Sequence, residues 1–344
     1  MAPPGWRARL ATRLIRLTVR PHLARVVDPV AARARFLATA RWLVPDPPLA
    51  VFLPDRPGGV PALWASVAGT EAGAGAPRVI LHVHGGAYVM GSPRVFRAMA
   101  ARLAAAAGAR ALVPHYRRAP EHPFPAALED VVAVYAELLE RGYPAAGIAL
   151  SGDSAGGGIA LALAGEIARR GWPAPAGLVL FSPLVDLTFS GASWTENRAR
   201  DPMLPAERGP DMVQMWLQGA DPRDPRASPL FADWPRPPPR TLVFAAETEL
   251  LRDDAVRIVA RMQATGGRAE LRLAVDLPHV WPFLSPWLPE ACATLAEAGT
   301  FLAAALQGAC KAPCGKSFEG FSAPGFAGAA APQPCASLPA PTSR

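Results

Sequence analysis

The segment Gly152-Asp153-Ser154-Ala155-Gly156 limits what this chain can fold into more than any other part of its 344 residues. It matches Gly-x-Ser-x-Gly, follows the apolar run Ile148 to Leu150, and leads into a helical pattern from Ile159 to Arg170. A serine held between glycines at a strand-to-helix junction sits on a sharp turn that exposes its hydroxyl at the edge of a sheet. The bare pattern recurs by chance in many proteins. Its weight here comes from the strand-turn-helix context and from the run Gly156-Gly157-Gly158, which lets backbones approach closely.

The rest of the chain supplies a sheet for that turn. From Pro61 onward, strand signals at 62–67, 78–83, 111–116, 177–181, 241–245 and 269–275 alternate with helix signals at 96–107, 126–140, 252–265 and 289–305. Alternation of this kind implies an α/β fold with a mostly parallel sheet and helices on both faces. Right-handed crossovers then bring the carboxyl ends of the strands to one edge, where a site can be built. Residues 186–239 break the pattern with Asp201-Pro202, Asp221-Pro222, Asp224-Pro225 and Pro237-Pro238-Pro239, and hold one helix-like piece at 211–217. This stretch is expected to be an insertion that forms part of a cap.

Residues 1–44 carry nine arginines against the single acid Asp28. Apolar positions at helical spacing (Leu10, Leu14, Leu17, then Phe36, Leu37, Ala40) predict two short helices, separated near Pro21 and Asp28-Pro29. A basic amphipathic stretch can lie on a membrane surface. The plainer expectation is that the apolar faces pack on the body, as part of the cap, and the arginines are solvated. The catalytic domain is expected over 45–306, with the insertion at 186–239. The segment 307–344 contains both lysines of the protein and is dominated by glycine, alanine and proline; it is expected to be a disordered tail.

With 51% hydrophobic and 18% charged residues, the chain suits one large domain. The net charge of +7 does not point to nucleic acid, because the excess resides in the first 44 residues and the tail and leaves a mildly acidic body. No stretch reads as a membrane span, so stable membrane insertion is not expected. Arginines interrupt any leader-like apolar core at the N-terminus, which makes the cytoplasm the default location. Cys292, Cys310, Cys314 and Cys335 form neither a disulfide framework nor a zinc-ligand pattern, and no metal or cofactor is expected.

Acyl transfer by serine needs a nucleophile, a base, an acid that orients the base, and donors for an oxyanion. Ser154 is the nucleophile candidate. His84-Gly85-Gly86-Ala87-Tyr88 follows a strand, and its pliable backbone can aim successive N–H groups at one point. Gly86, Ala87 and Ala155 are the expected donors. Among six histidines, His279 follows the last strand and stands C-terminal to Ser154, as the order Ser…acid…His requires. For the acid, Glu247, Glu249, Asp253 and Asp254 all follow the strand at 241–245, while Asp186 follows the previous one. Tyr88, Trp216 and Trp281 are candidate aromatic walls of a pocket.

Four motifs in order carry a resemblance: His84-Gly85-Gly86-Ala87-Tyr88, Tyr116-Arg117-Arg118-Ala119-Pro120-Glu121-His122-Pro123-Phe124-Pro125, Gly152-Asp153-Ser154-Ala155-Gly156-Gly157, and His279-Val280-Trp281-Pro282. Together they resemble the bacterial esterase branch of the hormone-sensitive-lipase family, which has the α/β-hydrolase fold. The resemblance implies about eight strands, a helical cap built from N-terminal helices and an insertion, and carboxylesterase activity on short acyl esters through a covalent acyl-enzyme. It also puts the family's acid at Glu249, within an acid-x-Leu-x-x-Asp context completed by Leu251 and Asp254, ahead of Asp186, Asp253 and Asp254 themselves. The oxyanion loop falls on Gly85, Gly86 and Ala87, with alanine in place of a third glycine. Arg118 stands where the family usually has leucine. The expected partner is a small-molecule ester, with a homodimer left open. A membrane-surface lipase, a lactone hydrolase and a deacetylase would use the same residues; a receptor on this scaffold would lack His279.

Overall fold

The apolar runs at 79–83, 148–153, 178–181 and 241–246 are buried along their whole length, as parallel strands covered on both faces must be. A computed structural model describes residues 4–69 and 77–307. The expected tail, with Cys310, Cys314 and Cys335, lies outside the described residues apart from Gln307.

The chain begins with α1 (Trp6–Arg25) and α2 (Pro29–Leu43), followed by β1 (Ala50–Asp55), β2 (Ala62–Val67) and β3 (Val79–Val83). Then come α3 (Pro93–Ala107), β4 (Arg110–Pro114), α4 (Ala126–Glu140), β5 (Ile148–Asp153), α5 (Ser154–Arg169) and β6 (Leu178–Phe181). The stretch at 186–239 carries α6 (Ser193–Glu196) and α7 (Gly209–Leu217), after which β7 (Thr241–Ala246), α8 (Arg252–Ala264), β8 (Ala269–Ala274) and α9 (Pro289–Gln307) complete the described elements.

The eight strands lie in the order β1-β2-β4-β3-β5-β6-β7-β8. Pairing is antiparallel at β1–β2 and β2–β4 and parallel in the rest. Along β3, Val79, Leu81 and Val83 join the core under α4, α5 and α8, while Ile80 joins the core under α3 and α9. The period of two thus divides the interior between the two faces. After β3 the chain crosses to β4 on one side and then returns to β5 on the other, so the strand order reverses between β3 and β5. Their carboxyl ends meet there, with Val83 in register with Gly152. In open α/β sheets this switch point is where a ligand site forms.

Three details depart from the sequence expectations. The edge strand β1 was not expected, because Pro54, Asp55 and Pro57 read as breakers; proline is tolerated on an edge, and Val51 and Leu53 face solvent. Helix α1 continues through Pro21 rather than stopping there. Pro21 removes one main-chain bond, but the turns before it are tied down by Arg16, which donates to the carbonyls of Ala199 and Arg200, and by Arg20, which donates to Arg198. Helix α2 packs Phe36, Leu37 and Ala40 on the body as expected, but α1 does not turn its leucines inward. Leu10, Leu14 and Leu17 are exposed, while Ala8 is buried and Arg33 reaches into the body.

Candidate active site

The switch point fixes the elbow and the glycine loop side by side. Ser154 ends the turn from β5 into α5 with φ +53°, a left-handed conformation that costs a non-glycine residue about 1 to 3 kcal/mol. The glycines around it are needed for space. A Cβ on Gly152 would lie 2.5 Å from the carbonyl oxygen of Gly156, and one on Gly156 would lie 2.2 Å from that of Val83. Helix α5 therefore starts at Ser154 itself, and Ala155 lies in its first turn.

The loop after β3 holds Gly86, Ala87 and Tyr88 at φ +128°, +54° and +62°. Three successive residues at positive φ persist only if neighbours hold them, and the neighbours are identifiable. The Gly85 N–H donates to Asp153 Oδ1 at 3.0 Å, which ties the loop to the elbow. That N–H is therefore committed, and Gly85 shapes the loop while the N–H groups of Gly86 and Ala87 make no hydrogen bond among the described residues. Tyr116 donates its hydroxyl to the His84 carbonyl at 2.7 Å. The His84 ring, stacked between Tyr116 and Phe96, is held neutral because burial pushes its pKa down to about 3.

Arg118 closes the far end of the same loop. Its guanidinium donates to the Gly91 carbonyl and to His115 Nε2. His115 is suited to accept that bond, since burial and then the charges of Arg118, Arg33 and Arg94 lower its pKa. From α2, Arg33 adds a third brace: Nε donates to the Val89 carbonyl at 2.7 Å, and Nη2 donates to the Ala119 carbonyl at 2.8 Å. Its guanidinium also meets both carboxylate oxygens of Glu121, whose pKa that hydrogen bond lowers to about 2.

His279 and Glu249 are brought together. His279 follows β8, is buried, and places Nδ1 2.8 Å from Glu249 Oε2. The other carboxylate oxygen of Glu249 accepts the Ala246 N–H at 2.9 Å. Burial alone would lower the histidine's pKa, but the Glu249 hydrogen bond and the charges of Glu249, Asp201 and Asp153 outweigh it and raise the pKa above the usual value. Nδ1 is engaged by a carboxylate, and Nε2 is buried without a hydrogen-bond partner among the described residues.

Of the other candidate acids, Glu247 is exposed, and the remaining three are occupied elsewhere. Asp186 accepts the backbone N–H and hydroxyl groups of Thr188 and Ser190 and pairs with Arg257. Asp253 caps Ser193 and pairs with Arg252. Asp254 is buried, and its Oδ2 accepts the N–H groups of Val185 and Asp186, which fixes the chain as it leaves β6. Burial, partly offset by those two bonds, raises its pKa to about 8. The folded value lies above the unfolded one, so the stability this group contributes is complete below about pH 4 and is lost as pH rises through about 8. Asp254→Asn, which keeps an acceptor for both N–H groups, is expected to remove that pH dependence. Asp254→Ala is expected to cost about 1 to 3 kcal/mol for each orphaned N–H. Urea unfolding of both variants at pH 5 and pH 8 checks this.

Of the expected aromatic walls, two meet. Tyr88 in the glycine loop stacks on Trp216 of α7 at 4.3 Å between centroids, and Phe124 packs edge-on against Trp216 at 5.8 Å. Trp281 does not join them. It is fully buried in the core under α3 and α9, where its indole N–H donates to Thr294 Oγ1. A tryptophan next to a motif histidine gives no sign in sequence of which way it turns.

Two further residues matter that the sequence reading passed over. Asn197, fully buried, donates to the carbonyls of Glu247 and Glu249 at 2.9 Å each. Asp201, also fully buried, accepts the N–H of Leu250 through Oδ2 and those of Met203 and Leu204 through Oδ1. Both come from the 186–239 insertion, and together they clamp the loop that bears Glu249. Asp201-Pro202 was visible, but only as a break in the helix and strand pattern.

The chain belongs to the α/β-hydrolase fold family, whose model matches residues 80–283. Within that class it is a carboxylic ester hydrolase of the hormone-sensitive-lipase type. It is 41% identical over 225 residues to an acetyl-hydrolase of Streptomyces hygroscopicus, covering 65% of this chain and 75% of the relative. It is 32% identical over 299 residues to an esterase of Acinetobacter venetianus, covering 86% and 96%. A crystal structure of an esterase from the bacterial hormone-sensitive lipase family superposes with a TM-score of 0.81 at 37% identity, covering 89% of this chain and all of that one.

Proposed function

We propose that the protein hydrolyses short-chain acyl esters through Ser154, His279 and Glu249. The observation that carries this reading is the buried Glu249–His279 pair, with Nε2 left without a hydrogen-bond partner among the described residues, together with a serine held at positive φ on the elbow. Nε2 of His279 takes the Ser154 proton as Oγ attacks the ester carbonyl. Glu249 stabilises the imidazolium, and the N–H groups of Gly86, Ala87 and Ala155 hold the oxyanion. Each such donor is typically worth about 3 to 4 kcal/mol in the transition state. Collapse expels the alcohol, protonated by His279. Water, deprotonated by the same nitrogen, then releases the acid and restores Ser154.

The size limit comes from the walls. The stacked Tyr88 and Trp216 join the glycine loop to α7, and we assign α1, α2 and the insertion to a cap over the site. That enclosure favours small acyl groups, and the acetyl-hydrolase name of one relative points the same way. A p-nitrophenyl ester series from acetate to palmitate tests it. kcat/KM is expected to be highest for acetate or butyrate and to fall at least about tenfold by octanoate, since added methylenes must displace packed aromatic side chains. A maximum at palmitate would overturn the short-chain reading.

A further inference from the structure

Helix α1 turns an apolar stripe away from the body. Trp6, Leu10, Leu14 and Leu17 follow one another at intervals of four, four and three residues, so they lie on one face, and that face is outward: Trp6 is 66% exposed and Leu17 73%. The opposite face supplies the attachment through buried Ala8 and half-buried Ile15 and Val19, while Arg16 and Arg20, on the edge that also carries Arg9 and Arg13, reach the 198–200 carbonyls. On the helical wheel, Arg9 and Arg13 lie along one edge of the stripe, and Arg7 and Arg25 along the other. All four are exposed and form no ion pair among the described residues. Two more exposed indoles, Trp42 and Trp287, stand at the end of α2 and just before α9. Trp287 donates its N–H to the Leu43 carbonyl, next to exposed Trp42, and the Gly5 N–H reaches Glu290 at the start of α9.

We propose that this surface docks reversibly on an anionic lipid bilayer, with α1 lying in the plane of the interface. An apolar ridge edged by arginines is the pattern of an interfacial helix: the leucines enter the acyl boundary, and the guanidinium groups extend to lipid phosphates along their aliphatic stems. Tryptophan favours that depth. The charge pattern speaks against a second copy of the chain, because α1 contains no acidic residue. A seam between two such helices would bring unpaired arginines face to face, whereas anionic headgroups supply the missing charge. The docking is independent of the chemistry assigned to Ser154, and a single helix of this length gives reversible attachment, not insertion.

Co-sedimentation of the full chain with vesicles of phosphatidylcholine, alone or with a minority of phosphatidylglycerol, tests it. Wild type is expected to bind the mixed vesicles at least about tenfold more tightly than the neutral ones, and to lose that preference as salt shortens the Debye length. Leu14→Ser/Leu17→Ser and Arg9→Ser/Arg13→Ser are each expected to weaken binding about tenfold or more. Turnover of soluble p-nitrophenyl acetate should not change in either variant, which separates lost docking from lost folding. Binding that ignores the phosphatidylglycerol, or no binding at all, would overturn the proposal. So would a wild-type dimer, seen by analytical ultracentrifugation, that the leucine variant dissociates, because the face would then belong to a second copy.

Discussion

Ser154→Ala is expected to lower kcat for p-nitrophenyl acetate by about 10⁴- to 10⁶-fold, with KM changed little. On the proposed mechanism, removing the hydroxyl removes the acyl-enzyme route, while the proposed oxyanion donors still bind the ester. Turnover within tenfold of wild type would overturn the role given to this serine. A companion variant reads the conformation of the same residue. Because Ser154 sits at φ +53°, Ser154→Gly should be equally inactive yet more stable than Ser154→Ala by about 1 kcal/mol, glycine being free of the left-handed penalty. Chemical denaturation of the two inactive variants measures the difference.

Glu249→Gln is expected to reduce kcat by about 10³- to 10⁴-fold, since the amide neither stabilises an imidazolium nor fixes the tautomer that frees Nε2. It should also change the pH profile. On the proposed mechanism catalysis needs neutral His279, and the Glu249 hydrogen bond and charge, working against burial, raise the pKa of that ring. The acid limb of wild-type kcat/KM is therefore expected above the usual histidine value of about 6.5, and in Glu249→Gln it should move toward lower pH. The same shift has a stability counterpart. A histidine whose folded pKa is raised contributes stability that is complete below about pH 6.5 and is lost as pH rises through the folded value. Asp186→Asn should leave kcat within a few-fold, because its carboxylate is satisfied by Thr188, Ser190 and Arg257. A larger loss in Asp186→Asn than in Glu249→Gln would reverse the assignment.

The parts of this site that the sequence disclosed are the parts whose chemistry is local. Gly152 and Gly156 announce a close approach that the structure puts at 2.5 Å or less for any added Cβ, and His279 is identified by its place after the last strand. Glu249 needed the family pattern, since four acids follow β7 within nine residues and only the hydrogen bond to His279 separates them. Asn197 and Asp201 could not be found, because their burial is produced by packing against residues some fifty positions away. The orientation of α1 was hidden for a different reason. Its sequence carries apolar positions on two sides, Ala8, Ile15 and Val19 on one and Trp6, Leu10, Leu14 and Leu17 on the other, and a helical period says nothing about which side the body takes.

The clamp that Asn197 and Asp201 place on the Glu249 loop makes the order of assembly matter. Ser154 is built by neighbouring strands and an adjacent helix. The carboxylate behind His279, by contrast, is steadied by a stretch that must first find its own place across the sheet. On the proposed mechanism, a chain whose insertion has not docked would present a serine without a steadied acid behind its base. The insertion would then tie activity to its own docking on the Glu249 loop.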